Sequence, residues 1–336
     1  MERSCGKSAN EKIFKARFSQ CIVFPSTAWT IEIESIFEHP GRPDRHRQRG
    51  KGEMEAALTQ FLNGLSFVAI LGLIGVGLAV LLGMMGVINL AHGEFVMLGA
   101  YVVWLSGFVF HNFWIGLILA VATVPLFSLL IERTLIRPLY KRPLDTILAT
   151  WGLGMVLREL AQVVFGKSDR MVEAPIPGFA SVLGVHYSAY RLFVIGMAIV
   201  VLFGVIIFFL KTDYGLRARA IISNKEMASA LGVNTERVNQ LMFGMGAGLA
   251  ALAGGLISPI YVDSPYMGLQ WVVGAFFVVV IGGVGSIWGP IGGATVMGGS
   301  QGVVEFFMSP VVAQIIILLV AIAVVRLRPK GLFAQR

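Results

Sequence analysis

Between Leu58 and Val325 the sequence is a succession of apolar runs, most of them about as long as a bilayer is thick, separated by short polar breaks. Crossing the hydrocarbon layer takes about 20 mostly apolar residues. Lipid offers no partner to an unpaired peptide group, so runs of this length resolve into helices. Eight segments can be marked, roughly at 60–83, 87–110, 114–131, 146–165, 191–210, 238–260, 270–307 and 311–326. The stretch 270–307 is long enough for two short spans, which gives nine crossings. Charged residues make up 14% of the chain and hydrophobic ones 56%, whereas soluble domains are about a quarter charged. The expected fold is an all-α integral membrane protein, a bundle of about eight to ten transmembrane helices with Gly-interrupted segments.

Forty glycines suit such a bundle, because small residues let helices approach closely in lipid. Gly75/Ala79/Gly83, Gly244/Gly248, Gly289/Gly293 and Gly298/Gly302 repeat the small-xxx-small spacing. Two further runs, "GMMG" at 83–86 and "GGVG" at 282–285, read as interruptions that turn broken helices toward a central cavity.

The net charge of +8 is concentrated in loops. Residues 132–145 carry Arg133, Arg137, Lys141 and Arg142, and residues 211–237 carry Lys211, Arg217, Arg219, Lys225 and Arg237. The tail adds Arg326, Arg328, Lys330 and Arg336. With nine crossings these thirteen fall on one side, against Lys167, Arg170 and Arg191 on the other. That asymmetry sets orientation in membranes, placing the C-terminus in the cytoplasm and the start of the first span outside. It also argues against nucleic acid as the partner of the positive charge.

Residues 1–53 differ in kind. They hold 10 of the 27 Lys+Arg and 7 of the 19 Asp+Glu, with the run "GRPDRHRQRGKG" at 41–52. No charged n-region followed by a clean apolar core marks a signal peptide. Exporting ten basic groups without one conflicts with the topology above. The division is therefore a basic N-terminal extension, 1–53, disordered or the product of an over-early start, and a membrane domain, 54–336, that opens at "MEAALTQFLNGL".

Enzyme chemistry is largely eliminated. "GKS" occurs at 6–8 and 166–168, but the glycine a phosphate-binding loop needs five positions earlier is Met1 or Ala161. No HExxH, GxSxG or paired-cysteine zinc pattern is present, and the two cysteines, Cys5 and Cys21, lie in the extension. No cofactor or metal is expected.

What remains is polar chemistry inside apolar runs. Asn89, His92 and Glu94 stand within "GVINLAHGEFVMLGAYVVW" at 86–104. On a straight helix Asn89 and His92 share a face and Glu94 points elsewhere. Either protein surrounds them or Gly93 lets the backbone break so that they converge. Arg158 and Glu159 lie inside the fourth apolar segment, and Glu305 lies near the end of the 270–307 stretch. An unpaired charge at mid-bilayer costs at least ~2.5–3.5 kcal/mol, so each needs a partner or a water-lined cavity. Asn89, His92, Glu94, Arg158 and Glu159 are the candidate substrate pathway. The competing reading makes Asn89 and Glu94 ties between neighbouring helices, with Arg158 and Glu305 snorkelling to an interface.

The loop at 211–237 carries the clearest soluble-side feature, "KTDYGLRARAIISNKEMASALGVNTERV". Ser223 and Glu226 have capping-box spacing, and Gly232 is placed as the C′ residue. A two-turn helix over 224–231 would present Met227, Ala230 and Leu231 on one face, which calls for a groove to receive it.

Three of these stretches resemble one family in the order its motifs take. "RARAIISNKEMASALGVNTERV" is similar to the cytoplasmic coupling loop of inner-membrane permeases that import branched-chain amino acids, urea and short amides. "GVINLAHGEFVMLGAY" resembles the family's early motif, and "FFVVVIGGVGSIWGPIGGA" at 276–294 its late Gly-rich motif. The resemblance runs from about Met54 to Phe333. "PLDTILATWGLGMVLRELAQVVFGK" and "YRLFVIG" are closer to the urea-type members. It implies the permease subunit of an ATP-driven importer in a bacterial inner membrane, taking urea, a short amide or a branched-chain amino acid. It also implies cytoplasmic ATP-binding subunits, a second related permease and an extracytoplasmic substrate-binding protein as partners. Ser223, Glu226, Met227, Ala230, Leu231 and Gly232 would then build the helix that couples to the ATPase. A stand-alone secondary transporter or channel would also explain the spans, but not that capped apolar helix.

Residues 1–53 should be dispensable. Expression from Met54 is expected to give full membrane insertion and transport. A short form that fails where the long form succeeds would make the extension functional and reverse the topology argument.

Overall fold

The computed structural model describes residues 45–332 except 87, 141, 183, 284, 287, 329 and 330. Most of the proposed extension, residues 1–44, lies outside them. The chain divides into two compact units between Lys51 and Gly52, and the apolar runs all belong to the second.

Among the described residues there are eleven α-helices. They are α1 (Arg45–Met85), α2 (His92–Phe110), α3 (Phe113–Ile131), α4 (Pro143–Phe165), α5 (Ala189–Lys211), α6 (Asp213–Ser223), α7 (Lys225–Ala230), α8 (Thr235–Ile257), α9 (Met267–Gly282), α10 (Gly289–Phe307) and α11 (Pro310–Leu327). Six are long and apolar enough to cross a membrane: α1 from Met54, α2, α3 with its extension to Leu139, α4, α5 and α8. The 270–307 stretch is two helices, α9 and α10, packed against each other and joined at 283–288. A short antiparallel hairpin, β1 (Phe179–Val182) and β2 (Val185–Ser188), precedes α5, with Phe179 opposite Ser188.

α1, α2 and α8 supply most of the buried core, and α3, α4 and α5 turn large apolar side chains such as Leu126, Val163 and Phe203 outward. An all-apolar exterior is what lipid selects. The centre is held by close backbone approach. A Cβ on Gly254 of α8 would come 1.9 Å from the Val96 carbonyl oxygen, and one on Gly99 of α2 would come 2.2 Å from that of Ala251.

The chain between α1 and α2 breaks the regular pattern. α1 ends at Met85, and Gly86 takes φ +67, a left-handed conformation that glycine adopts without steric cost. The backbone then runs back inside the bundle. The His92 ring donates from Nε2 to the Ile74 carbonyl at 3.2 Å and lies against Gly77. Ile74 is roughly three turns before the end of α1, so α2 begins part-way along α1 and not at its end. Two expectations are corrected here. Asn89 and His92 share no helical face, because the helix starts at His92. The break falls over 86–91, not at Gly93. Gly93 serves a different need: a Cβ there would sit 2.1 Å from the Gly268 carbonyl oxygen, so α9 can cross only a glycine.

The loops gather at two ends. At one, Arg170 and Asp263 pair through their backbones at 2.9 Å, and the Tyr187 hydroxyl donates to Asn63 Oδ1 at 3.1 Å. The Asp263 carboxyl accepts from the Ser258 hydroxyl, and burial pushes it up to about 7 despite that bond. At the other end Arg137 meets Glu236, Ile222 meets Gly285, and the Leu332 N–H donates to the Ile281 carbonyl at 2.8 Å. The described C-terminal residues therefore lie at the same end as the basic 211–237 loop.

Glycines at crossings should be intolerant and those facing outward tolerant. Gly254→Ala is expected to cost about 1–3 kcal/mol or more, since a backbone carbonyl cannot yield as a side chain can. Gly204→Ala on α5, with nothing within 4 Å, should be neutral or stabilising by up to about 1 kcal/mol. Thermal unfolding of the purified variants checks both, and equal effects would refute the packing account.

Candidate functional site

The re-entrant segment is enclosed by α4. Thr150, Gly154 and Arg158 recur at four-residue spacing and so line one face of that helix. The Leu90 N–H donates to Thr150 Oγ1 at 3.3 Å. A Cβ on Gly154 would touch Glu94 at 3.5 Å. Arg158 Nη2 donates to Glu94 Oε1 at 2.7 Å, with the carboxylate side chain 3% exposed and the guanidinium 16%. The Arg158 guanidinium also lies 5.5 Å over the Tyr266 ring. Asn89 Oδ1 accepts from the Ala91 N–H at 3.1 Å and so ties off the turn that opens α2.

Of the five pathway candidates the fold brings Glu94 and Arg158 together and keeps Asn89 and His92 beside them. Glu159 lies at an exposed position, outside the buried group. One residue along a helix turns about 100°, so Glu159 follows Trp151 and Met155 on the outward face, where it accepts from Gln162 Nε2 at 3.1 Å. Asn89, His92 and Glu94 are all buried, and the void that Asn89 borders measures about 10 Å³. Groups so enclosed can meet a solute only when the surrounding helices part.

A second constellation lies at the basic end. Thr212 Oγ1 caps α6 by accepting from the Gly215 N–H at 3.1 Å. α6 runs to Ser223, and Asn224 caps α7 by accepting from the Met227 N–H at 2.9 Å. The expected Ser223–Glu226 capping box is therefore corrected: Ser223 is the last residue of the preceding helix. Asparagine caps as well as serine, and it stands one residue closer. Gly232 does end the helix, at φ +85. Its N–H donates to the Ser229 carbonyl and that of Val233 to Ala228, both at 3.0 Å, the two bonds of a Schellman termination. Ala228 faces inward, while Met227 (58% exposed), Ala230 and Leu231 (79%) face outward. Lys225 sits 5.4 Å over the Tyr140 ring, which ties α7 to the end of α3.

A third feature was not read from the sequence. A cavity of about 740 Å³ opens at the end opposite α7, walled by α1, α9, α10 and α11, by Arg191 in the first turn of α5, by Asp169 and by the loop at 261–264. Asn63, Arg191, Trp271 and Glu305 are among its lining. Only Glu305 was marked beforehand. The others sit in separate runs, where one polar residue apiece reads as ordinary helix-end chemistry.

A match with a family model decides what this membrane domain is. The family described as branched-chain amino acid transport system / permease component matches residues 60–325. The chain belongs to this family. Among similar proteins is the high-affinity branched-chain amino acid transport system permease protein LivH of Escherichia coli K12, 28% identical over 83% of this chain and 96% of the relative. The permease BraD of Pseudomonas aeruginosa is 26% identical over the same shares. A probable LivH permease of Methanocaldococcus jannaschii is 25% identical over 78% of this chain and 88% of the relative. No solved structure matches the chain. The permease is thus a multi-pass membrane transport component, and its role is transport and not catalysis.

The Glu94–Arg158 pair should behave as one unit. Removing one partner of a buried pair leaves an uncompensated charge, so Glu94→Leu is expected to cost about 3–5 kcal/mol. Glu94→Leu/Arg158→Leu should recover much of that loss. Unfolding midpoints of the purified wild type, both single variants and the double variant measure the coupling, and strictly additive losses would dissolve the pair.

Proposed function

We propose that this permease is the membrane-spanning subunit of an ATP-driven importer and that α7 is its docking element for a cytoplasmic ATP-binding subunit. The observation that carries the reading is the α6–α7 unit. A helix of two turns does not hold itself in water, yet this one is fixed by an asparagine cap and a Schellman termination while its apolar side chains point outward. Rigid apolar projections of this kind fill a groove on a partner. Behind them, Ile222 of α6 is in contact with Gly83 near the end of α1 and with Gly285 in the α9–α10 turn. A load taken up by α7 reaches both interruptions of the bundle through one side chain.

The basic loops assign the α7 end to the cytoplasm. The C-terminus then lies there too, and the large cavity faces the side of an extracytoplasmic binding protein. A second, related permease, the partner that the family resemblance implies, would complete the translocation path. The relatives named above carry branched-chain amino acid transport in their names, which favours such a substrate over urea or a short amide. In this reading Asn89, His92, Glu94 and Arg158 hold the re-entrant segment and join the pathway only as the helices separate, a rigid-body alternation. Glu159 takes no part in it.

Met227→Asp/Leu231→Asp tests the docking role. Each carboxylate would be buried without a partner, so association with the ATP-binding subunit should weaken by about tenfold or more. Membrane insertion should be unchanged, because neither side chain packs within the chain. Unchanged co-purification together with unchanged uptake would remove α7 from the coupling role.

A further inference from the structure

α3, α5 and α8 are fastened together at one end and leave a groove toward the other. At the end away from α7 the Tyr190 hydroxyl of α5 donates to the Leu256 carbonyl of α8 at 3.0 Å. The rings of Phe113 and Tyr190 meet edge to face at 6.0 Å, and those of Trp114 and Phe193 at 5.2 Å, which ties α3 to α5. Toward the basic end α5 leans on α1 instead. Leu202 reaches α1 at Gly72, and Val205 and Phe209 are buried. Val201 and Phe208 are left facing α3 and α8 across a groove of about 710 Å³.

The groove has an apolar body and a polar mouth. On α8 its lining runs from Arg237 through Gln240 and Leu241 to Gly244, Gly248 and Leu252, the spacing of one helical face. α3 closes the floor: a Cβ on Gly244 would come 3.0 Å from the Leu129 side chain, and one on Gly248 3.1 Å from that of Pro125. From Leu241 to Leu252 this face is apolar over about 16 Å. One leaflet contributes about half of a ~30 Å hydrocarbon layer, so the apolar length matches one acyl chain. Gln240 sets an amide at the edge of that length, and Arg237 sets a guanidinium nearly one turn beyond it.

Three basic residues stand at the mouth, one at the end of each helix. Arg237 lines it, Arg133 follows Leu129 by one turn in the extension of α3, and Lys211 ends α5 three residues beyond Phe208. All three are exposed, and among the described residues none is in an ion pair. The acidic groups beside them are mostly engaged elsewhere. Glu236 pairs with Arg137, and Glu132 is buried and accepts from the Tyr140 hydroxyl. Asp213, at the start of α6, is the exception, so the mouth stays net positive.

From this arrangement we infer that the groove is a binding site for an anionic phospholipid of the leaflet at the basic end. Arg133, Lys211 and Arg237 take the headgroup, as basic pockets between membrane helices do. Gln240 donates to a glycerol ester carbonyl, and one acyl chain lies along the apolar face of α8. A zwitterionic phospholipid offers the same chain but cancels its headgroup charge, so it is held less well. The bound lipid fills the space between α5, which leads into α6 and α7, and the α3–α8 pair. The assignment depends neither on the transported solute nor on the ATP-binding partner.

The test uses the full-length permease, purified with the subunits that accompany it and placed in phosphatidylcholine nanodiscs. Each sample carries a trace of phosphatidylglycerol or of phosphatidylcholine with a photoreactive group in the acyl chain, and the labelled residues are mapped by mass spectrometry. The phosphatidylglycerol probe should label Val201, Leu241 or Met245 at least about fivefold more than the phosphatidylcholine probe, the ratio expected from a single engaged basic residue. Unlabelled phosphatidylglycerol should compete for those positions. Arg133→Gln/Lys211→Gln/Arg237→Gln should bring the two probes to equal labelling, and the ten basic residues left in the loops and tail on that side keep the orientation. Equal labelling by both probes in the unaltered permease, or a preference that survives the triple variant, would overturn the headgroup assignment. A groove labelled by neither probe, while the outward-facing Leu126 and Phe203 are labelled, would show it covered by protein and overturn the lipid assignment.

Discussion

A peptide group at bilayer depth must find its partner inside the protein, and this permease interrupts a helix at that depth. The rest of the central bundle follows from meeting that demand. The 86–91 segment leaves N–H groups at the start of α2 that no preceding turn can satisfy. Asn89 takes one with its own side chain, and Thr150 takes another from α4. Glu94, in the first turn of α2, adds a negative charge at the positive end of the helix dipole. That carboxylate then needs Arg158, which needs α4 to present it. The sequence of requirements runs through four residues on three elements.

Much of this order was legible in the sequence, and the illegible parts have a common cause. Apolar length located the helices, and the split of 270–307 followed from length alone. The small-xxx-small pairs do lie at contacts: Gly293 on Val278 and Gly298 on Val68 are two. Three other close crossings, at Gly93, Gly99 and Gly254, belong to no such pair picked out beforehand. Each makes a single contact with a distant segment, and spacing along one helix carries no trace of that. Arg158 and Glu159 illustrate the same limit. They are adjacent in sequence and equally charged in magnitude, yet the helix turn sends one to Glu94 and the other outward. The cavity was hidden because its polar residues are spread from Asn63 to Gln314. The capping error was local: serine and asparagine stood side by side, and only the length of α6 decides which residue opens α7.

α6 and α7 show how a soluble-facing unit can be made stiff without a core of its own. α6 buries Ala218 and Ile221 against the bundle, and α7 adds only Ala228 to that surface. The remaining rigidity comes from hydrogen bonds at the termini, which fix two short helices relative to each other. A stiff pair transmits a displacement, whereas a frayed loop would absorb it. The tie from Lys225 to Tyr140 adds the end of α3 to the same unit. There Glu132 is fully buried and accepts from the Tyr140 hydroxyl at 2.5 Å.

α1 is the element that the three candidate regions share. Asn63 and Phe67 line the large cavity, Ile74 and Gly77 seat His92, and Gly83 meets Gly285 and Ile222 at the α7 end. Residues 63 and 83 are about 30 Å apart along a continuous helix. Against α10 that helix presents Gly64 to Gly302, Val68 to Gly298 and Gly72 to Ala294. The two backbones approach closely at these glycines, with Val68 filling the space over Gly298 and Gln60 donating to Glu305 across the seam. On the docking role proposed for α7, a displacement delivered through Ile222 reaches α1 near Gly83, with the re-entrant segment beside the middle of that helix and the charged cavity at its far end.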